Sequence, residues 1–141
     1  IGFDTVIERG RVSVAGLGDD LVYAGFSLGV LPAQNLAQSR FGARGALLYH
    51  GAVPPEMLGG DWPGGVPVQM HFMEDDPLAA EDLEAARALE AGVDAAELHL
   101  YPGSGHLFAD PGSEDYDPAA ASLLVGRSLA FLARLDRRPP A

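Results

Sequence analysis

A chain of 141 residues, 48% of them apolar, is long enough for one domain with a real core. It holds no cysteine and no lysine, so disulfides, thiolate metal sites, a cysteine nucleophile, Schiff-base chemistry and a phosphate-gripping lysine are all excluded. Nine arginines against 20 acidic residues leave a net charge of −11, which argues against nucleic acid or an anionic membrane as the main partner.

Residues 5–17 have helical spacing, with Gly10 interrupting the pattern and Gly16 and Gly18 ending it. The apolar run 21–24, closed by Gly25, reads as a buried strand. Helical spacing returns over residues 28–40, where Pro32 falls about a turn in and implies a kink. Residues 46–50 form a second strand and 66–73 a third, with Pro67 near its start, where proline is tolerated. Residues 78–91 are the clearest helix: Leu83, Ala86 and Leu89 give it an apolar side, and Glu81, Asp82, Glu84, Arg87 and Glu90 a wet one. Alternation over 97–101 marks a fourth strand. Pro118 opens a last amphipathic helix running through 123–135, followed by an Arg-Arg-Pro-Pro-Ala tail expected to fray.

Strands alternating with helices imply parallel pairing, hence an α/β fold with a mostly parallel sheet flanked by helices, in one domain over 1–141. No uninterrupted apolar stretch approaches the roughly 18 residues that span a bilayer. The first residues lack a basic and then apolar leader pattern, so a cytoplasmic location is expected.

Gly25-Phe26-Ser27-Leu28-Gly29 is a G-x-S-x-G between a predicted strand and a predicted helix. A nucleophile on such a turn needs strained dihedrals, and small residues two positions to either side relieve the crowding. The turn aims Ser27 at a helix N-terminus, where backbone N–H groups, beginning with that of Leu28, can hold a developing oxyanion. A glycine-rich connection with an incidental serine is the plainer alternative.

A serine nucleophile needs a base and an acid that orients it. Among the four histidines, His99 and His71 lie within strands and suit structural roles. His50 ends a strand, where α/β sites collect, and is a pocket candidate. His106 lies in the glycine-rich loop after the last strand and is the candidate base. The acid is expected from Glu74-Asp75-Asp76, beside Pro77, where an aspartate would equally suit a helix cap. Ser27, Asp76 and His106 follow the Ser…Asp…His order of α/β-hydrolases. A metal site from His71, Glu74, Asp75 and Asp76 lacks any clear three-ligand pattern, and no G-x-G-x-x-G follows a strand, so neither a metal nor another cofactor is expected. Phe26, Trp62, Phe72, Leu107 and Phe108 offer an apolar acyl or ring pocket, or equally ordinary packing.

At these motifs the sequence resembles the dienelactone hydrolase family of α/β-hydrolases. The matching stretches are Tyr23-Ala24-Gly25-Phe26-Ser27-Leu28-Gly29, the segment from Val68 through Asp76-Pro77, Tyr101-Pro102-Gly103-Ser104-Gly105-His106-Leu107-Phe108, and Tyr116-Asp117-Pro118 leading to Arg127-Ser128-Leu129-Ala130-Phe131-Leu132. The resemblance implies Ser27 as nucleophile, Asp76 as the acid and His106 as base, in a hydrolase of esters or lactones. Two positions depart from the pattern. The founding members carry cysteine where Ser27 stands. Members that open dienelactones carry, four residues after the histidine, an arginine that grips the substrate carboxylate; here that residue is Asp110. A small neutral or cationic ester therefore fits better than a carboxylate-bearing dienelactone. The family's opening strands, with the loop giving the second oxyanion N–H, have no match here. The chain corresponds to roughly the C-terminal two-thirds of the domain, with about four parallel strands, and the Ser27 strand is expected at a sheet edge. The expectation is that the gene product extends upstream, or that another chain, such as a second copy, covers this edge. A non-catalytic binding or interaction module of the same fold is the alternative function.

Overall fold

The computed structural model describes residues 1–139; the last two residues of the tail, Pro140 and Ala141, lie outside the described residues. Four strands, β1 (Val22–Phe26), β2 (Gly45–Tyr49), β3 (Val68–Met73) and β4 (Ala96–Tyr101), alternate with four helices, α1 (Phe3–Val14), α2 (Val30–Ser39), α3 (Ala80–Gly92) and α4 (Pro118–Asp136). All neighbouring strands pair in parallel, in the order β1-β2-β3-β4, as the alternating pattern implies. Element types agree with those read from the sequence, and boundaries shift by at most three residues.

The pleat divides the core into two layers. Ala46, Leu48, Val68, Met70 and Phe72 face α2 and α3, where they meet Leu36, Ala37, Ala86 and Leu89. Leu47, Tyr49, Met73 and Tyr101 face α4 and pack with Leu124, Phe131 and Leu135. With both faces covered, β2 and β3 are buried along their whole lengths, which explains their unbroken apolar runs. β1 differs: it is an edge strand, as expected, with Tyr23 and Gly25 buried but Ala24 and Phe26 exposed.

Two prolines and one glycine read differently in three dimensions. Ser27–Gly29 forms a 3₁₀ turn before α2 begins at Val30, so Pro32 falls in the first helical turn. Backbone N–H groups there have no intrahelical acceptor in any case, so the proline implies no kink. A Cβ on Gly10 would stand 2.5 Å from the Cβ of Pro32, so the glycine inside α1 marks the close crossing of α1 over α2. Pro77 does not open a helix, because α3 starts at Ala80.

α4 contains no uninterrupted apolar stretch of membrane-spanning length, since Arg127 and Arg134 break it. Its 19 residues have a mean hydropathy of 1.2 over the best 18-residue window, enough to cross a bilayer by length and composition alone. In this fold it is a core helix on the sheet, N-capped by the Asp117 side chain, which accepts from the Ala120 N–H. Leu123, Val125 and Leu129 remain exposed on its outer side. Arg44 fastens the far end of α4, donating to the carbonyls of Leu135 and, at 2.8 Å, Arg138.

Candidate active site

Ser27 is the first residue after β1 and adopts a left-handed backbone with φ of 51°. That conformation costs a non-glycine residue about 1–3 kcal/mol, so the surroundings must impose it. Gly25 shows how: a Cβ there would stand 2.2 Å from the Gly29 carbonyl oxygen, which folds back under the turn. Gly29 itself has open space around its Cβ position and an ordinary helical backbone. Only the first glycine of the G-x-S-x-G is sterically required, contrary to the symmetrical reading of the motif.

The chain brings Ser27, His106 and Asp76 together from three separated strand ends. The Ser27 hydroxyl lies 2.8 Å from His106 Nε2, and His106 Nδ1 lies 2.6 Å from Asp76 Oδ2. A carboxylate only accepts, so Nδ1–H donates to Asp76 and Nε2 is left to accept the Ser27 proton. Asp76 is buried, and its second oxygen accepts the Leu78 N–H at 2.9 Å. The sequence offered two roles for this acidic cluster; one residue fills both a turn-forming and a histidine-orienting position. Glu74 and Asp75 are exposed.

The His106 loop is held from two directions. The carbonyl of Gly103 accepts the Asp75 N–H, and the carboxylate of Asp115 accepts the His106 N–H at 3.1 Å. Gly105 packs so closely on Asp115 that a Cβ would meet it at 2.9 Å. Asp82, on the first turn of α3, accepts the Ala52 N–H at 3.1 Å and so secures the loop after β2. Burial pushes the Asp82 carboxyl up, against the hydrogen bond from Ala52. Sequence reading missed both Asp115 and Asp82, since neither sits in a recognisable motif.

The remaining candidates separate. Leu28 is the second residue of the 3₁₀ turn, where N–H groups are unpartnered by geometry, and its side chain is exposed. Phe26 is 55% exposed and stacks on Tyr49 with ring centres 4.4 Å apart. His50, the residue after β2, is buried beside Phe26 and His106, with ring-centre distances of 5.8 and 5.9 Å. Trp62 does not join them. It packs in the α2–α3 layer, donates to the Val66 carbonyl, and borders a groove of about 800 Å³ between the 54–62 loop and α3 that includes neither Ser27 nor His106.

His71 is fully buried, and both its ring nitrogens are satisfied, by Tyr101 Oη at 2.8 Å and Gln69 Oε1 at 2.9 Å. Burial, then the neighbouring His99 and Arg127, pushes its pKa down to about 3, so it is a neutral structural histidine. It is thus unavailable to a metal site with Glu74, Asp75 and Asp76, and among the described residues no cluster of His, Asp and Glu is arranged for a metal ion.

The sequence profile of the dienelactone hydrolase family matches residues 12–135. The chain belongs to this family. Among curated relatives, a protein of Azospirillum brasilense named "Putative carboxymethylenebutenolidase" is 39% identical over 66 residues, covering 46% of this chain and 29% of that protein. Solved structures share the fold. TT1662 from Thermus thermophilus superposes with a TM-score of 0.64 at 21% identity, over 95% of this chain and 63% of that one. A Klebsiella pneumoniae protein described as a "Putative Dienelactone Hydrolase" gives 0.66 at 20% identity, over 93% and 60%. A cold-adapted esterase from an Arctic intertidal metagenomic library gives 0.55 at 23% identity, over 88% and 59%. The chain therefore spans under a third of that curated relative and about three-fifths of each of these structures.

Proposed function

We propose that this chain carries the reacting groups of a serine hydrolase that cleaves a small carboxylic ester or lactone. The hydrogen-bonded series Ser27–His106–Asp76 is the observation that carries this reading. His106 Nε2 takes the hydroxyl proton as Ser27 Oγ attacks the carbonyl carbon, and Asp76 holds the imidazole in the required tautomer and stabilises its charged form. The Leu28 N–H, at the start of the turn, stabilises the oxyanion of the tetrahedral intermediate. That intermediate collapses as His106 returns the proton to the leaving alkoxide, releasing alcohol and leaving acyl-Ser27. Water then attacks the acyl group with His106 again as base, and the acid leaves. Membership of the dienelactone hydrolase family supports ester or lactone chemistry. Asp110, in place of a carboxylate-gripping arginine, supports a neutral or cationic substrate.

The test is a fluorophosphonate probe with tandem mass spectrometry. A phosphonyl adduct on Ser27 that disappears in His106→Ala is expected, with ester turnover lost in Ser27→Ala. Absence of an adduct, together with full esterase activity in Ser27→Ala, would defeat the assignment. A folded protein with no adduct and no turnover would favour the non-catalytic module.

A further inference from the structure

His50 occupies an unusual place. Phe26 and Tyr49 are the last register partners of β1 and β2, so Ser27 and His50 are the next residues on two adjacent strands. Both leave their strands in the left-handed region, with φ of 51° and 62°. Glycine would adopt that backbone without the steric cost a side chain brings, so the imidazole itself calls for an explanation.

Packing does not supply one. The ring is wedged edge-on against Phe108, with centres 4.8 Å apart and planes at 88°. His50 is 2% exposed, yet its Nδ1 is sealed off with no hydrogen-bond partner, the one buried side-chain polar atom so stranded among the described residues. The contrast with His71, whose two nitrogens are both bonded, is direct. A buried polar atom without a partner costs stability and marks a group kept for another purpose.

The tautomer follows. A sealed N–H donor is rarer and costlier than a sealed lone pair, so Nδ1 is the bare nitrogen and Nε2 carries the proton. Nε2 makes no hydrogen bond among the described residues, but unlike Nδ1 it is not sealed. Burial, followed by the nearby His106, lowers the pKa of His50 to about 4, which keeps the ring neutral under working conditions. The charge-bearing groups that act on His50 are the His106 imidazole and, more weakly, the Asp76 carboxylate. Asp76 would repel an anionic acceptor, and among the described residues no arginine acts on His50 to offset it.

We infer that His50 is a specificity-determining residue of the Ser27 site: its Nε2–H donates to an uncharged acceptor oxygen flanking the scissile carbonyl. The site then selects neutral esters that carry an ether or hydroxyl oxygen beside the reacting group over all-carbon counterparts. The exposed faces of Phe26 and Leu28 receive the apolar remainder. This inference rests on the reading of Ser27 as nucleophile and adds the substrate class.

Two isosteric pairs read it by pH-stat: ethyl methoxyacetate against ethyl butyrate for the acyl side, and methoxyethyl acetate against butyl acetate for the alcohol side. Each kcat/KM is divided by the ester's hydroxide-catalysed rate. One pair is expected to show a preference for the ether that falls about tenfold in His50→Phe and survives in His50→Gln, whose amide donates from about where Nε2 stands. Should His50→Phe fail to fold, as read by emission from Trp62, the only tryptophan in the chain, His50→Asn tolerates the backbone but cannot reach, and is expected to lose the preference too. Ratios unchanged within twofold in the donor-less variant, or equal losses on both members of each pair, overturn the inference. Undiminished turnover in Ser27→Ala overturns the nucleophile assignment instead, so the two failures are distinguishable.

Discussion

Lowering the pH should destabilise this fold well above the range where carboxylates titrate, because two imidazoles are buried neutral. The unfolded chain protonates His50 and His71 near the ordinary value of 6.5; the folded chain does so only near about 4 and about 3, burial being the main cause. Between those limits the unfolded state holds more protons. The stability is therefore complete above the unfolded value and is lost as pH falls through it. Going from pH 7.5 to 5.5 withdraws about 1.4 kcal/mol per imidazole, or about 2.7 kcal/mol for the two. Urea unfolding at the two pH values measures this as a midpoint shift of about 1 to 2 M. His50→Gln removes one of the two protons and should lower the loss to about half, with the other titrating groups cancelling in the comparison. A wild-type loss below about 0.5 kcal/mol, or an undiminished loss in His50→Gln, would refute the reasoning.

Two further outcomes follow from the geometry around Ser27 and His106. Gly25→Ala forces a Cβ against the Gly29 backbone and should cost more than about 3 kcal/mol and abolish probe labelling of Ser27, whereas Gly29→Ala, with open space, should stay within about 1 kcal/mol of wild type; thermal melts and labelling compare them. Asp115→Ala frees the His106 N–H, so kcat should drop about three- to tenfold with KM little changed and Asp115→Asn restoring most of it; steady-state kinetics separates this positioning role from general destabilisation.

The layering and the order Ser27, Asp76, His106 were legible in the sequence because hydrophobic period and motif order are properties of the chain itself. β2 and β3 read as unbroken apolar runs for the reason that both their faces are covered. Other features depend on contacts that no local pattern encodes. Gly10 and Pro32 looked like flaws in two helices and are the point where those helices cross. Asp115 and Asp82 act on backbone N–H groups nine and 30 residues away, at distances that sequence spacing does not register. α4 has the length and composition to cross a bilayer, yet Arg127 and Arg134 break its apolar run, so the sequence reads as an amphipathic helix. Trp62 was placed by residue type alone, and its neighbours are set by the 54–62 loop instead.

Strand order in the sheet repeats strand order along the chain, and this bears on how the protein is made. Ser27 leaves the first strand, Asp76 follows the third and His106 follows the fourth, so the Ser27–His106 hydrogen bond closes across 79 residues of sequence. A ribosome delivers Ser27 long before His106. The hydroxyl gains its hydrogen-bond partner only once β4 and the loop after it have been made. With Ser27 as the proposed nucleophile, a probe for it would report that β4 and its loop have joined β1 in one sheet.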